Sequence, residues 1–271
     1  MLWLYVQSTG DRSLLPRALP LIETELAWWQ SNRTSSVTGS SGTTHQLARY
    51  AVDNSAPRPE GYVEDYETVY GPVGGEDRNL SGEQADTLFA NLASGAESGL
   101  DYSAARWAKE PFASEPLETL NNVAIVPVDL NSILYNDERL LSQMYMLDGE
   151  TRNMSKSQQW ADIAATRRSA IIDLMWNDDL ASFYDFNTTS SEQIIRWTPA
   201  TYCKSAAFSV ATSVRSCLYA RNCFQMLIGQ ESSQIPCFRT LPRLRKRSLR
   251  WDTSSPSEFH YQCELSRLIC P

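Results

Sequence analysis

The chain predicts a mainly α-helical fold, and three stretches carry that expectation. Leu15, Leu19, Ile22, Leu26 and Trp29 recur at spacings of four and three, which gathers them on one face of a helix. Ser81-Gly82-Glu83-Gln84 has the pattern of a capping box, where serine and glutamine satisfy each other's backbone N–H groups. The helix it opens shows an apolar face of Leu88, Phe89 and Leu92. Ser155 predicts the cap of a further helix that turns Trp160, Ile163, Ile171 and Leu174 inward. At 271 residues, with 42% hydrophobic content and eight tryptophans, the chain can bury the core of one domain, or of one domain plus an extension.

The elements follow in order. Met1-Leu2-Trp3-Leu4-Tyr5-Val6 is apolar but has neither the basic flank nor the small-residue cleavage site of a signal peptide. No export address is expected from it, and the compartment stays open. No uninterrupted apolar run reaches the roughly 20 residues of a membrane span, so no membrane partner is expected. In the first amphipathic helix Pro16 falls in the tolerant first turn, whereas Pro20 should kink or delay it. Ser31 to Gly42, rich in Ser, Thr and Gly, reads as loop. His45 stands alone, with no Cys or His at ligand spacing, so neither a metal nor a cofactor is expected. The prolines of Pro57-Arg58-Pro59-Glu60 hold an extended path. A helix is expected from Tyr62 to about Tyr70, a loop from Gly71 to Asn79, and then the capped helix. That helix should deliver Glu97 to Asp101 at its C-terminal end, as loops that carry chemistry are carried by rigid elements. Asp129 and Asn131, taken alone, are residues of the helix-start type. Asn32, Asn79, Asn153 and Asn187 head Asn-x-Ser/Thr sequons, which permit glycosylation in a secreted protein.

Four segments together resemble the trehalase family of inverting glycosidases, which cleave α,α-trehalose to two glucose molecules. They are Pro57-Arg58-Pro59-Glu60, Glu97-Ser98-Gly99-Leu100-Asp101-Tyr102-Ser103, Pro127-Val128-Asp129-Leu130-Asn131, and the turn from Trp176-Asn177-Asp178-Asp179 to Tyr184-Asp185-Phe186-Asn187. The resemblance implies an incomplete α/α toroid of helical hairpins over residues 1–193, with the Arg58–Glu60 and Asp101 loops at one end. It also implies a helix from the third segment to about Leu147. Asp101 takes the place of the general acid, and Arg58, Pro59, Glu60 and Gly99 contact the sugar. The residue types suit this chemistry. Acetal hydrolysis needs one carboxyl to protonate the leaving oxygen and another, roughly 6.5–9.5 Å away, to activate water. A guanidinium fork donates to hydroxyls and a carboxylate accepts from them. Tyr102 and Trp107 offer aromatic surface for a sugar ring.

The chain departs from the family pattern at three points. Leu100 replaces a tryptophan, Gly61 replaces a serine, and one extra residue separates Asp101 from Arg106. In a helix, that residue turns Arg106 by about 100° relative to Asp101. The family's upstream sugar-binding segments and its base-bearing segment find no counterpart. The alternative reading is therefore a truncated, inactive relative without the general base, at most a weak sugar binder.

Composition breaks near residue 194. The net charge of −8 divides into −15 for residues 1–195 and +7 for residues 196–271, and all six cysteines follow residue 200. Residues 194–271 are expected to be an unrelated Cys/Arg/Ser-rich tail, poorly ordered, whose cysteine spacings fit no zinc or disulfide scheme. The basic run Arg243, Arg245, Lys246, Arg247 and Arg250 has the composition of a nucleic-acid contact. The preferred expectation is a segment outside the family's frame, with no nucleic acid bound. The expected partner is a small molecule, trehalose, and no protein partner is inferable.

Overall fold

Burial of one helix face against another decides this architecture. The computed structural model describes residues 1–196, apart from Ser40, Glu76, Asp77, Asp101, Ser103 and Asp148. The expectations for the later part of the tail, and for Asp101 itself, fall outside the described residues. Seven helices account for most of the described chain: α1 (Leu2–Thr9), α2 (Leu15–Asn32), α3 (Tyr62–Tyr70), α4 (Gly82–Glu97), α5 (Ala104–Trp107), α6 (Val128–Met146) and α7 (Met154–Met175). The two longest, α6 and α7, form a hairpin. Its turn is closed by the Asn153 amide on the Tyr145 carbonyl at 2.9 Å. In α2 the predicted face is the buried one, with Leu15, Leu19 and Leu26 inward. The helix starts at Leu15 and runs through Pro20 without delay, the Thr24 hydroxyl bonding the Pro20 carbonyl. The capping box of α4 is formed: Ser81 Oγ accepts from the Gln84 amide and Gln84 Oε1 from the Ser81 amide.

Two local expectations need correction. The segment from Ser31 to Gly42 is not simply loop. Within it β1 (Thr34–Thr38) pairs with β2 (Thr44–Ala48), just beyond it, in the register Thr34↔Ala48 to Thr38↔Thr44. Threonine and valine fit a pleated strand, and facing hydroxyls of Thr38 and Thr44 meet at 2.9 Å. Val37 and Leu47 point from it into a core with Ile171, Leu174 and Met175 of α7. The cap of α7 is Asn153 rather than Ser155, its Oδ1 accepting from the Lys156 amide at 3.0 Å.

After β3 (Ile125–Val126) the chain enters α6, and the chain after α7 returns to meet β3. A short hairpin of β4 (Trp176–Asn177) and β5 (Ser182–Phe183) leads into β6 (Phe186–Asn187), antiparallel to β3, and then β7 (Glu192–Gln193). Ile194 packs on the larger core cluster.

The first turn of α6 is also clamped to β2. Asn131, fully buried, accepts from the Ala48 amide at 2.9 Å and donates to the Ala48 carbonyl at 2.8 Å. Its oxygen takes a further bond from Arg167, whose fork grips buried Glu138. Truncating Asn131 would strand a buried N–H and C=O at once. Asn131→Ala is therefore expected to lose about 3 kcal/mol in urea unfolding; a loss under 1 kcal/mol would show the clamp to be idle.

Candidate active site

The site is built from the last turn of α4. Gly99 ends that helix with its amide on the Ala96 carbonyl and a φ of +66°, a left-handed conformation that costs a side-chain-bearing residue about 1–2 kcal/mol. Glu97, two residues earlier, is held by Arg33 through Nε at 2.9 Å and Nη2 at 2.7 Å. Beyond Asp101, Tyr102 lies back along α4 and donates to the Leu92 carbonyl at 3.1 Å. Gly95 makes this possible, since a Cβ there would come within 2.7 Å of the Tyr102 ring. The backbone is thus fixed on both sides of Asp101.

The Arg58 segment is fixed from its own helix. Asp65, in the first turn of α3, is 2% exposed and accepts three bonds from Arg58: backbone N at 3.0 Å, Nε at 2.8 Å and Nη2 at 2.7 Å. This pairing with Asp65 is the main reason that the guanidinium is held above its usual pKa. Pro59 opens a single 3-10 turn, Pro59–Gly61, that leaves the Glu60 side chain 68% exposed and 3.8 Å from Arg58 Nη1. Arg58 sits over the Tyr102 ring, 5.4 Å from its centroid. That contact joins the two segments, some forty residues apart in the chain, in one place.

Arg106 faces the interior. Its guanidinium is 2% exposed and divides between two carboxylates: Nη1 and Nη2 on Asp129 at 2.8 and 2.6 Å, Nε and Nη2 on Asp185 at 2.8 and 3.0 Å. The β3–β6 pairing sets Asp185 beside the start of α6, where it also accepts the Val128 amide at 2.9 Å. Burial alone would lower the pKa of Arg106, but the two carboxylates outweigh it and keep the side chain charged. Burial pushes Asp185 up, an effect that Arg106 opposes and the charge of Asp129 reinforces. Trp107 is fully buried, edge-on to Tyr50 at 6.3 Å, so it offers no surface to a sugar. Asp129 and Asn131 do more than start a helix; each holds another segment in place.

These segments lie within a longer match. The family model described as Trehalase covers residues 1–214, most of the chain and past Ile194. The chain belongs to the trehalase family. It is 34% identical to a trehalase of Dictyostelium discoideum over 196 residues, 71% of this chain and 31% of that protein. With a trehalase of Oryctolagus cuniculus it shares 34% identity over 70% of this chain and 30% of that one. With the Homo sapiens trehalase the identity is 31%, over 68% of this chain and 29% of the relative. The chain thus spans less than a third of the length of each of these three trehalases. Neutral trehalase Nth1 from Saccharomyces cerevisiae aligns with a TM-score of 0.52 at 20% identity, over 83% of this chain and 41% of that chain. The fold is accordingly an α/α toroid, present in part.

Arg58, Pro59 and Glu60 lead into α3 and Gly99 follows α4, and the contact of Arg58 with Tyr102 links the two segments, while Asp101 itself is outside the described residues. Arg106 points inward, at a pair of acids. No spacing rule links positions 106, 129 and 185, so sequence periodicity could not find this triad.

A buried carboxyl with a raised native pKa loses its stabilising contribution as pH climbs from the unfolded value to the native one. Replacing Arg106 frees Asp185 to rise further. Arg106→Met is expected to cost about 3–5 kcal/mol near neutral pH and measurably less at pH 5, by denaturant unfolding at both. A cost that grows on acidification would contradict this account of the triad.

Proposed function

We propose that this chain takes part in inverting hydrolysis of α,α-trehalose to glucose, with Asp101 as the general acid and Arg58, Pro59, Glu60 and Gly99 around one glucose. The observation that supports it most is the seating of Arg58 over Tyr102, the residue after Asp101. A sugar gripped by the first segment then lies against the loop that carries the acid. Glu60 presents an accepting carboxylate to hydroxyls, and Arg58, fixed by Asp65, has Nη1 turned to the Glu60 side. Fixing these groups in advance lowers the ordering cost of binding.

Protonation of the leaving oxygen is the step assigned here to Asp101. A positioned acid is typically worth about 10²–10⁴-fold in rate. Water activation needs a second carboxylate across the bond, and no residue of this chain is assigned to it. The short span relative to whole trehalases favours low turnover by the isolated chain.

The test is glucose release from trehalose by the purified chain, with Asp101→Asn beside it and sugar binding measured in both. The expected result is slow release that falls at least 10²-fold in the variant while trehalose still binds. Release unaffected by the substitution would refute the acid assignment. Binding without any turnover in either form would favour the inactive relative.

A further inference from the structure

We infer that Arg49 is a further sugar-binding residue of this site, its guanidinium fork donating to vicinal hydroxyls of a neutral hexose. The inference rests on the reading of the site given above and extends it to a residue nine positions upstream of Arg58.

The position is built rather than incidental. Ala48, immediately before, is clamped at both its N–H and C=O by Asn131. The Arg49 amide itself bonds the Arg33 carbonyl at 2.9 Å, and three residues on, the Val52 amide bonds Ser94 Oγ at 2.9 Å. Ser94 is on the last turn of α4, next to the glycine against which Tyr102 rests. The side chain reaches the Val123 carbonyl through Nη1. The Val123 amide returns to Asn91 of the same helix at 3.1 Å. Arg49 is therefore tied to the end of α4 that carries Gly99 and supports Arg58.

What separates Arg49 from its neighbours is that its charge is unspent. Arg33, Arg58 and Arg106 each close on a carboxylate. Arg49 has no carboxylate partner among the described residues, and the carbonyl of Val123 is the one acceptor its side chain meets there. It is nonetheless half-buried, enough for lost hydration to pull its pKa down. A partly dehydrated guanidinium with free donors is costly unless a ligand uses them. Beside it Asn122 is fully buried, and neither its amide oxygen nor its nitrogen has a partner. The corner is polar and under-satisfied.

Charge selects the ligand class. From Asp53 to Glu67 the chain carries Asp53, Glu60, Glu64, Asp65 and Glu67 against Arg58 alone. The negative charge of this segment, which follows Arg49 in the chain, disfavours an anion at the site and leaves a neutral polyol unopposed. The planar fork matches a pair of adjacent hydroxyls, and its remaining donors suit a ring that also meets Glu60.

The experiment is titration of the full chain with α,α-trehalose, D-glucose and inorganic phosphate, followed by saturation-transfer NMR. Wild type, Arg49→Lys and Arg49→Gln are compared, with helix content and thermal midpoint recorded for each. Lysine keeps the charge and can reach the Val123 carbonyl but loses the fork. The expected result is about tenfold weaker trehalose binding in both variants, with the lysine variant's melting unchanged. Wild-type affinity in the lysine variant would overturn the inference and leave the trehalose reading standing, as would a shifted midpoint with unaltered affinity. Phosphate binding that depends on Arg49, without sugar binding, would overturn it in favour of an anion site. Absence of trehalose binding in the wild type would overturn both.

Discussion

Arg106 carries a full charge into a place that is 2% exposed, and the arrangement around it follows from the need to meet that charge. A buried guanidinium is tolerable only with its donors filled, and breaking such a pairing typically costs about 3–5 kcal/mol. Two carboxylates fill them, one from the first turn of α6 and one from the residue just before β6. The chain that follows Asp101 is thereby locked to the α6/α7 hairpin and to the small β3–β6 sheet. Asn131, two residues beyond Asp129, does the corresponding work for the segment leading to Arg58 by gripping Ala48. One helix start therefore holds both halves of the candidate site, and neither half could shift without exposing or stranding a buried polar group.

The smaller supports add to this frame. Arg33 on Glu97 and Asp65 on Arg58 fix side chains within their own neighbourhoods. Tyr102 bridges them, its hydroxyl on α4 and its ring under Arg58. A cation over an aromatic ring adds about 0.5–1 kcal/mol at a partly exposed position, less than the ion pairs, but it is the contact that sets the two loops side by side. The outward-facing groups, Glu60 above all, are those with the fewest internal partners. Rigid support beneath and free donors or acceptors on top is the division of labour that a sugar-binding surface requires.

Local signals were legible in the sequence wherever one element settles its own geometry. The capping box at Ser81 and Gln84 formed as written, since both bonds lie within four residues. The apolar face of α2 follows from periodicity, and α3 runs from Tyr62 to Tyr70 as expected. The β1–β2 hairpin escaped because Ser and Thr are common to loops and strands, and pairing is decided by the partner strand and by α7 beneath. An aromatic residue near a catalytic loop suits carbohydrate, which makes Trp107 look like sugar surface in the sequence; only its packing on Tyr50 reveals a core residue. The roles of Asp129, Asn131 and Asp185 are long-range, and no window of sequence contains both partners.

The proposed sugar-binding surface comprises residues 57–60 and the loop from Gly99 to Tyr102, joined by the Arg58–Tyr102 contact and supported from beneath by α6. Hydrogen–deuterium exchange of the full chain, with and without saturating trehalose, reads both segments in a single measurement. Amides in the two segments are expected to slow together when trehalose is added, while α1 stays unchanged. Slowing in only one of them, or in neither while trehalose is bound elsewhere on the chain, would contradict a single surface.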